Sequence, residues 1–259
     1  MGRVVDSFRA AKFQLTLCAT EPVRLPPHAG STLRGGFGRA FRAIGCAASA
    51  LGAPTCALGE RCPYHYVFET PVPAGSAVLD GVATAPRPFV IEPPIAPPPV
   101  YEAGARFAVG VVLVGRAIDY LPYFIHAFEE LGRVGIGRGL GRYRLETVDA
   151  VPATGASLPV YDAGRRALTS VFPAVTVEDV GVAPGDSLTL RFLTPTRLRH
   201  GGRGASPTEF HVLFRNVARR VNFLNHFHCA GEVLPSVSDL IEAALRIGTV
   251  EERLQWHTW

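Results

Sequence analysis

One succession of local patterns occurs twice in this chain, and it constrains the fold more than any other feature. The first copy, over residues 12–44, runs from an alternating strand-like segment through a turn with Pro22 and a glycine-bearing loop to an amphipathic helix. The second copy, over residues 187–228, has the same order, with Pro195 in its turn. A unit that recurs in one order indicates an internal duplication.

The segments between the two copies complete the first unit. Strand-like patterns occur at 64–70, 106–114 and 143–151, and apolar residues at helical spacing predict a helix over 115–131. The proline-rich stretch at 86–99 is predicted to be a crossing segment or an edge strand, because proline cannot donate to a strand ladder. The resulting order, β-α-β-β-α-β, is that of a ferredoxin-like sandwich with two helices on one face of a sheet.

The sequence therefore predicts an α+β fold of tandem ferredoxin-like (RRM-like) domains. The first is expected at 1–151, with a Gly/Arg-rich loop at 135–142, and the second at 152–259. We expect the second to be incomplete, degenerate or shortened. Its long helix is followed only by a shorter helix near 236–247 and a possible strand at 253–259.

Composition excludes several classes of protein. With 47% hydrophobic and 19% charged residues, the chain can build a substantial core and is too apolar for disorder. No apolar run has membrane-spanning length, and residues 1–12 lack the apolar core of a signal peptide, so we expect a cytoplasmic protein without a membrane partner. Lys12 is the only lysine among 26 basic residues. Arginine grips phosphates with a planar fork, although a GC-rich genome also favours arginine codons.

The Gly/Arg-rich loop at 135–142 carries glycine at every second position, with Arg138 and Arg142 beside them. Because glycine has no Cβ, another backbone can approach the loop closely. Open amide groups next to guanidinium groups suit a phosphate backbone. The run fits neither a P-loop nor a dinucleotide fingerprint, since it follows a helix and opens a strand. The alternative is a flexible surface loop.

Three thiols and an imidazole, from Cys46, Cys56, Cys62 and His65, lie close together in the sequence. Such a set could form a tetrahedral zinc site, and a zinc-stabilised assembly protein is one alternative function. The spacing is not that of a zinc ribbon, however, and reduced, partly buried thiols are the favoured interpretation. We predict no metal and no cofactor.

Several blocks of the sequence resemble the Cas-six family, CRISPR-associated endoribonucleases of the RAMP superfamily. The blocks keep the family's order, and most of the chain up to about residue 230 is covered. They are Leu25 to Arg42, Cys62 to Glu69, Pro86 to Val90, Gly115 to Phe124, the loop at 135–142, and Leu190 to Pro195.

The resemblance implies two ferredoxin-like domains that recognise the repeat hairpin of precursor CRISPR RNA. It also implies a metal-independent cut, in which the ribose 2′-hydroxyl attacks the adjacent phosphate and leaves a 2′,3′-cyclic phosphate and a 5′-hydroxyl. The protein is expected to stay bound to the mature crRNA, with other subunits of a CRISPR effector complex as partners.

Two departures from the family leave an alternative open. Arg39 stands where relatives often carry a catalytic histidine, and relatives commonly continue past the equivalent of Trp259. The alternative is a catalytically inactive RAMP-type crRNA-binding subunit. Both functions predict RNA binding that weakens with salt, because phosphate contacts release counterions.

Three residues near the first helix are the catalytic candidates. His28 lies in a loop just before a helix N-terminus and suits proton transfer near neutral pH. Arg39 is assigned to binding the phosphate or stabilising the transition-state charge, and Arg24, which flanks the same loop, is a weaker candidate. An exposed loop histidine and surface arginines without a role are the alternative interpretation.

The residues expected to contact RNA are basic side chains on helices and on glycine-rich loops, although a solvated polar face is the default interpretation of such residues. They are Arg34, Arg42, Arg133, Arg138, Arg142, Arg199, Arg203, His211, Arg215 and Arg219. The opposite face of the long helix is predicted to form a core stripe of Phe210, Leu213, Phe214, Val217, Val221 and Leu224.

Overall fold

A computed structural model describes residues 7–46, 62–72, 76, 84–169, 173–176, 179, 185–200, 203–205, 209–233 and 237–255. The strands are β1 (Arg9–Ala19), β2 (Phe89–Glu92), β3 (Arg106–Val114), β4 (Tyr143–Ala150), β5 (Leu158–Asp162), β6 (Ala167–Leu168), β7 (Val175–Thr176), β8 (Leu198–His200) and β9 (Arg203–Ala205). The α-helices are α1 (Gly30–Gly45), α2 (Leu121–Val134), α3 (Phe210–His228) and α4 (Val237–Ala244). A π-helix spans His65–Glu69 and a 3-10 helix spans Gly115–Tyr120.

Strands β1 to β4 and helices α1 and α2 have ferredoxin-like connectivity: they follow one another along the chain as β1, α1, β2, β3, α2 and β4. The strands lie in the order β2-β3-β1-β4, and every neighbouring pair is antiparallel. In the central strand β1, alternate residues are buried, because successive side chains point to opposite faces of a sheet. This order confirms the predicted α+β class and the β-α-β-β-α-β arrangement of the first domain.

The two helices pack on one face of the sheet and contact each other through a glycine. A Cβ at Gly36 of α1 would lie 2.9 Å from a methyl carbon of Leu131 in α2, so the absence of a side chain lets the two helices approach closely. Phe37 stacks on Phe124 across the same interface, with ring centroids 4.9 Å apart. The core of the protein therefore lies between this helix pair and the sheet.

The second strand of the first domain is not where the sequence pattern placed it. The segment at 64–70 forms the π-helix, which ends at Thr70 in the left-handed conformation (φ 48°). The strand is instead β2, at the sheet edge within the proline-rich stretch, as one of the two interpretations of that stretch predicted. The alternation of aromatic residues in 64–68 resembles a strand, but Tyr64 and Phe68 are four residues apart and stack as helical neighbours do.

The sheet continues past residue 151, the predicted end of the first domain. Strand β5 pairs with β4, β6 pairs with β5, and β7 pairs with the start of β1. The division of the chain into domains at 151 and 152 stays a prediction.

The predicted strand at 187–193 is wrong. Residues 185–197 have no regular secondary structure, and Leu188, Leu190 and Leu193 are exposed. Among the described residues that follow, only the hairpin of β8 and β9 is strand, whereas the two predicted helices occur as α3 and α4. Residues 253–255 of the possible last strand are irregular, and 256–259 lie outside the described residues.

Helix α3 buries a different face from the predicted apolar stripe. Of that stripe only Leu224 is buried, and Val217 is 52% exposed. The buried residues instead include Asn222, Asn225 and His228. The C-terminal end of α3 docks on the first domain, where a Cβ at Gly115 would overlap the carbonyl oxygen of His228. In the part of the chain that the structure describes, no helix has the length and apolarity needed to cross a membrane.

Candidate nucleic-acid interface

The π-helix positions two aromatic rings against α1. Tyr64 and Phe68 stack with centroids 5.5 Å apart and an interplanar angle of 6°. Phe68 reaches the backbone of α1 because Gly38 has no side chain: a Cβ there would lie 2.5 Å from Cζ of Phe68. The ring of Phe89 in β2 packs against Phe68 at 5.6 Å. The aromatic pair is therefore fixed by both the helix and the sheet edge.

Arginines surround this aromatic pair. The guanidinium groups of Arg34 and Arg87 each lie 5.6 Å from the centroid of Phe68, and that of Arg42 lies 5.8 Å from the centroid of Tyr64. Nε of Arg87 also donates to the carbonyl oxygen of Phe68 at 2.6 Å. We call these five residues the arginine–aromatic face.

The electrostatics of this face show crowded positive charge. Burial lowers the pKa of Arg34, and the neighbouring charges of Arg87 and Arg220 of α3 lower it further. Burial also lowers the pKa of Arg220. Within the described ranges, no carboxylate forms an ion pair with Arg34, Arg87 or Arg220. Cations held together without a counter-ion create a local potential that attracts anions.

One acidic residue lies at the border of the face. Glu69 hydrogen-bonds to Tyr64, and burial of the phenol together with the charge of Glu69 raises the pKa of Tyr64. The carboxylate of Glu69 therefore lies near Tyr64 and Arg42. Arg34, Arg87 and Arg220 lie near one another, and Arg34 and Arg87 contact Phe68, at the other end of the ring pair.

The Gly/Arg-rich loop packs its glycines against this chain's own backbone. A Cβ at Gly137 would overlap the carbonyl oxygen of Arg24, and one at Gly141 would overlap that of Pro22. The amide of Arg138 donates to the carbonyl oxygen of Arg24 at 2.9 Å. The close approach inferred from the glycine spacing is therefore made by the segment around Arg24. Of the four glycines in this loop, only Gly139, at the loop tip, has open space at its Cβ position in the described structure.

The three catalytic candidates are not assembled at one point. His28 is exposed and lies two residues before the start of α1, whereas Arg39 is exposed and lies nine residues into it. At 1.5 Å per residue, the helix separates them by roughly 14 Å. Arg24 is exposed and lies against the Gly/Arg-rich loop through its backbone. The catalytic roles of these residues stay predictions.

Several of the basic residues predicted to bind RNA have acidic partners. Arg133 pairs with Glu130 (3.2 Å), Arg142 with Glu21 (3.8 Å), and His211 with Glu209 (3.4 Å). Each of these pairs includes an exposed side chain, where a carboxylate partner contributes little to stability. It does, however, reduce the net positive charge at that position.

Of the other predicted RNA-binding residues, Arg138 is exposed in the Gly/Arg-rich loop. The remaining six fall into three groups. Arg34 and Arg42 belong to the arginine–aromatic face. Arg215 and Arg219 line a groove between α3 and α4, where Nε of Arg215 is buried and has no hydrogen-bond partner among the described residues. The side chains of Arg199 and Arg203 lie outside what the structure describes.

Sequence reasoning missed Arg87, Arg220 and the paired rings of Tyr64 and Phe68 as members of one site. The signal available for the rings was their spacing of four residues, which brings side chains together only in a helix. Arg87 lies between two prolines, in a stretch that the sequence predicted to be a crossing segment or an edge strand and not part of a binding site. No sequence signal brings Arg220 to the same point, because that contact depends on how α3 docks.

The cysteine cluster is only partly described. Sγ of Cys62 is buried and donates to the carbonyl oxygen of Gly45 at 3.5 Å, as a reduced thiol does. Cys56 lies outside the described residues. Among those that are described, no group of three or more histidine, cysteine or acidic side chains could hold a metal ion.

Comparison with known proteins identifies the family. Residues 8–172 match a family described as AF_1859_N, an N-terminal domain. This chain belongs to the AF_1859_N family. The match runs from the start of β1 past β5, so the family region contains the whole ferredoxin-like sheet, the π-helix and the Gly/Arg-rich loop.

Similarity to this chain is found both in a protein sequence and in a solved structure. An uncharacterized protein of Archaeoglobus fulgidus is 24% identical over 223 residues, which cover 82% of this chain and 71% of that protein. A chain in the crystal structure of the Csm3-Csm4 subcomplex in the type III-A CRISPR-Cas interference complex is 16% identical, with a TM-score of 0.38. The similar region covers 58% of this chain and 80% of that one. At this TM-score the likeness adds nothing to the strand order described above.

Proposed function

We propose that this protein is a CRISPR-associated RNA-binding protein that holds crRNA through the arginine–aromatic face. The observation that carries the proposal is that Arg34 and Arg87 both lie over the ring of Phe68, with Arg220 close to Arg34, and that none of the three has a carboxylate partner in the described structure. The sequence blocks that resemble the Cas-six family include all five residues of this face: Arg34, Arg42, Tyr64, Phe68 and Arg87.

The face suits a phosphate backbone because its arginines are held in place before any ligand arrives. A guanidinium group over an aromatic ring gains about 0.5–1 kcal/mol at an exposed site. Arg87 is fixed further by its bond from Nε to the carbonyl oxygen of Phe68, which leaves its terminal N–H groups for an anion. Less side-chain entropy is then lost when phosphate binds.

Two charges on one helix set the spacing of the face. Arg34 and Arg42 are eight residues apart on α1, which corresponds to roughly 12 Å along the helix axis. They lie on either side of the ring pair, so an RNA strand that crosses the face meets a cation at each end. Other subunits of an effector complex are the expected protein partners.

The salt dependence of RNA binding tests this proposal. A fluorescein-labelled RNA stem–loop with single-stranded flanks is titrated with the full chain at several salt concentrations, and binding is followed by anisotropy. We expect log K to fall linearly with log salt, and Arg34→Gln to reduce the slope by about 1. Arg165→Gln, in the turn between β5 and β6 near the opposite sheet edge, is the matched control. An affinity that does not change with salt would contradict the proposal.

The second candidate function is metal-independent cleavage of precursor CRISPR RNA at the repeat hairpin. It is favoured by one observation: His28 is exposed directly before the N-terminus of α1, where backbone N–H groups suit a phosphate. In this scheme His28 moves the proton and arginines stabilise the charge of the phosphorane. The products are a 2′,3′-cyclic phosphate and a 5′-hydroxyl.

Cleavage of CRISPR repeat RNA in EDTA tests the second candidate. Wild type is compared with His28→Ala and Arg39→Ala, and an RNA with a 2′-deoxy substitution at the cut site is the control. Specific cleavage that survives EDTA and stops with the deoxy substrate supports an endoribonuclease. Binding without cleavage supports the crRNA-holding subunit instead.

A further inference from the structure

A cavity of about 490 Å³ adjoins the π-helix, and none of the five residues of the arginine–aromatic face lines it. It is bounded by the π-helix, the start of β1, the start of the 3-10 helix and the C-terminal end of α3. Its polar wall includes Arg9, His65, Thr70, Arg116 and His226. This volume falls within the range of small-ligand sites in proteins.

The cavity is lined by positive charge without an acidic counterpart. Arg9 and Arg116 are its charged residues, and none of the described residues that line it is acidic. In the described part of the chain neither arginine forms an ion pair. Two guanidinium groups facing a concave space are a recognition set for a phosphate group.

The guanidinium group of Arg116 is fixed against the wall. It lies 4.0 Å from the ring centroid of Tyr66, a close cation–π contact. The Tyr66 hydroxyl in turn donates to Nδ1 of His228 at 3.1 Å, and Nε2 of His228 donates to the carbonyl oxygen of Pro86 at 2.8 Å. The arginine is therefore held by a chain of contacts that crosses from the 3-10 helix to α3.

The ring of His226 adds a polar group to the cavity wall. Nδ1 of His226 donates to the carbonyl oxygen of Gly231 at 3.1 Å, because a carbonyl can only accept. This leaves Nε2 as the second polar atom of the ring. Phe227, Pro71 and Ala85 supply an apolar part of the same wall. A ligand with a phosphate at one end and a flat apolar ring at the other matches this distribution.

We propose that this cavity binds one nucleoside phosphate unit, with the phosphate between Arg9 and Arg116 and the base against the apolar wall at Phe227. The unit is either a free nucleotide or the terminal nucleotide of an RNA chain, since both present the same chemistry. The site is distinct from the arginine–aromatic face and does not depend on the RNA contacts proposed there.

The neighbouring thiol does not turn the cavity into a metal site. Burial raises the pKa of Cys229, which also lines the cavity, so the neutral thiol is favoured over the thiolate that binds metals. Sγ of Cys229 donates to the carbonyl oxygen of Arg9 at 3.9 Å. Its role is to contact the start of β1, which carries one of the two phosphate-binding arginines.

Calorimetric titration of the full chain with AMP, UMP, adenosine and inorganic phosphate tests the proposal. We expect AMP or UMP to bind at least tenfold more tightly than adenosine, because adenosine lacks the charge-assisted bonds to the arginines. Arg9→Gln, at an exposed side chain, should weaken nucleotide binding about tenfold, and Arg165→Gln should leave it unchanged. Arg116→Gln provides a second variant, with its thermal midpoint measured to confirm folding.

Competition by short RNAs separates the two sources of the nucleotide. Displacement of a fluorescent nucleotide by RNA with a terminal phosphate, but not by the same RNA without it, assigns the site to an RNA end. Displacement by AMP alone assigns it to a free nucleotide. Absence of binding by AMP, UMP and phosphorylated RNA at millimolar concentration would overturn the proposal, and so would binding that Arg9→Gln and Arg116→Gln leave unchanged. Stem–loop affinity measured with Arg34→Gln reports on the other face, so the two proposals can fail separately.

Discussion

Nε of Arg87 donates to the carbonyl oxygen of Phe68 at 2.6 Å, and the guanidinium group of the same arginine lies 5.6 Å from the Phe68 ring centroid. This pair joins the segment before β2 to the π-helix. It holds one cation of the arginine–aromatic face in a single orientation, close enough to Arg34 to lower the pKa of that residue.

Arg87→Lys tests whether the orientation matters beyond the charge. Lysine keeps the positive charge but lacks the planar guanidinium group. In arginine this group can donate from Nε to the carbonyl oxygen of Phe68 and still has further N–H donors for RNA. We expect RNA affinity in the anisotropy assay to fall by about three- to tenfold, corresponding to roughly 0.6–1.4 kcal/mol. Arg165→Lys should leave it unchanged, and an equal effect of the two variants would contradict the role assigned to Arg87.

Substitution of Gly38 and of Gly35, both on α1, tests how closely Phe68 packs against this helix. Gly38→Ala places a methyl group 2.5 Å from Phe68, so the ring must shift, and we expect a loss of about 1–3 kcal/mol in the free energy of unfolding. At Gly35 the nearest atom is Nη1 of Arg39 at 4.0 Å, and Gly35→Ala should stabilise by up to about 1 kcal/mol. Urea denaturation measures both, and a Gly38→Ala variant as stable as Gly35→Ala would refute the packing described.

Two glycines of the Gly/Arg-rich loop allow a second comparison of alanine variants. Gly137 (φ 74°) and Gly139 (φ 85°) both have backbone angles that disfavour a side chain, at a cost of about 1–2 kcal/mol. At Gly137 the added Cβ also overlaps the carbonyl oxygen of Arg24, whereas at Gly139 it meets nothing within 4 Å. We therefore expect Gly137→Ala to lower the thermal midpoint clearly more than Gly139→Ala, and equal shifts would argue against the contact with Arg24.

His228 makes the stability of the protein depend on pH. Burial lowers its pKa to about 4, below the ordinary 6.5, so the unfolded state takes up a proton first as the pH falls. The stability that the neutral ring provides is full above about pH 6.5 and is lost between about 6.5 and 4, by on the order of 3 kcal/mol. Urea unfolding of wild type and His228→Gln at pH 7.5 and 5.0 measures this. The role assigned to His228 would be contradicted if the free energy of unfolding of the wild type fell no more between pH 7.5 and 5.0 than that of His228→Gln.

The sequence was most predictive where local pattern and burial agree. Strands β1, β3 and β4 and the helices α1 and α2 each have a periodicity that matches their buried face, and these elements define the ferredoxin-like order. The segment at 64–70 was misassigned because an alternation of aromatic residues fits a strand, whereas the glycine at position 38 permits a helical packing that periodicity does not register.

The C-terminal region could not be derived in the same way. The sequence predicted that the apolar stripe of α3 forms a core, but apart from Leu224 the described structure leaves that stripe incompletely buried and buries the polar residues Asn222, Asn225 and His228. Their burial depends on tertiary contacts, such as Ser7 donating to Asn225 at 3.0 Å and Pro86 accepting from His228. The convergence of Arg220 with Arg34 depends on the same docking, which no local pattern contains.

The measurement that tests the central claim most directly is the affinity of the full chain for an RNA stem–loop, compared between wild type and the double variant Arg34→Gln/Arg87→Gln. We predict a loss of at least about thirtyfold at 150 mM salt, because two charge-assisted phosphate contacts disappear together. Arg165→Gln should bind as wild type does. A double variant that folds and binds RNA with wild-type affinity would show that the arginine–aromatic face does not hold RNA.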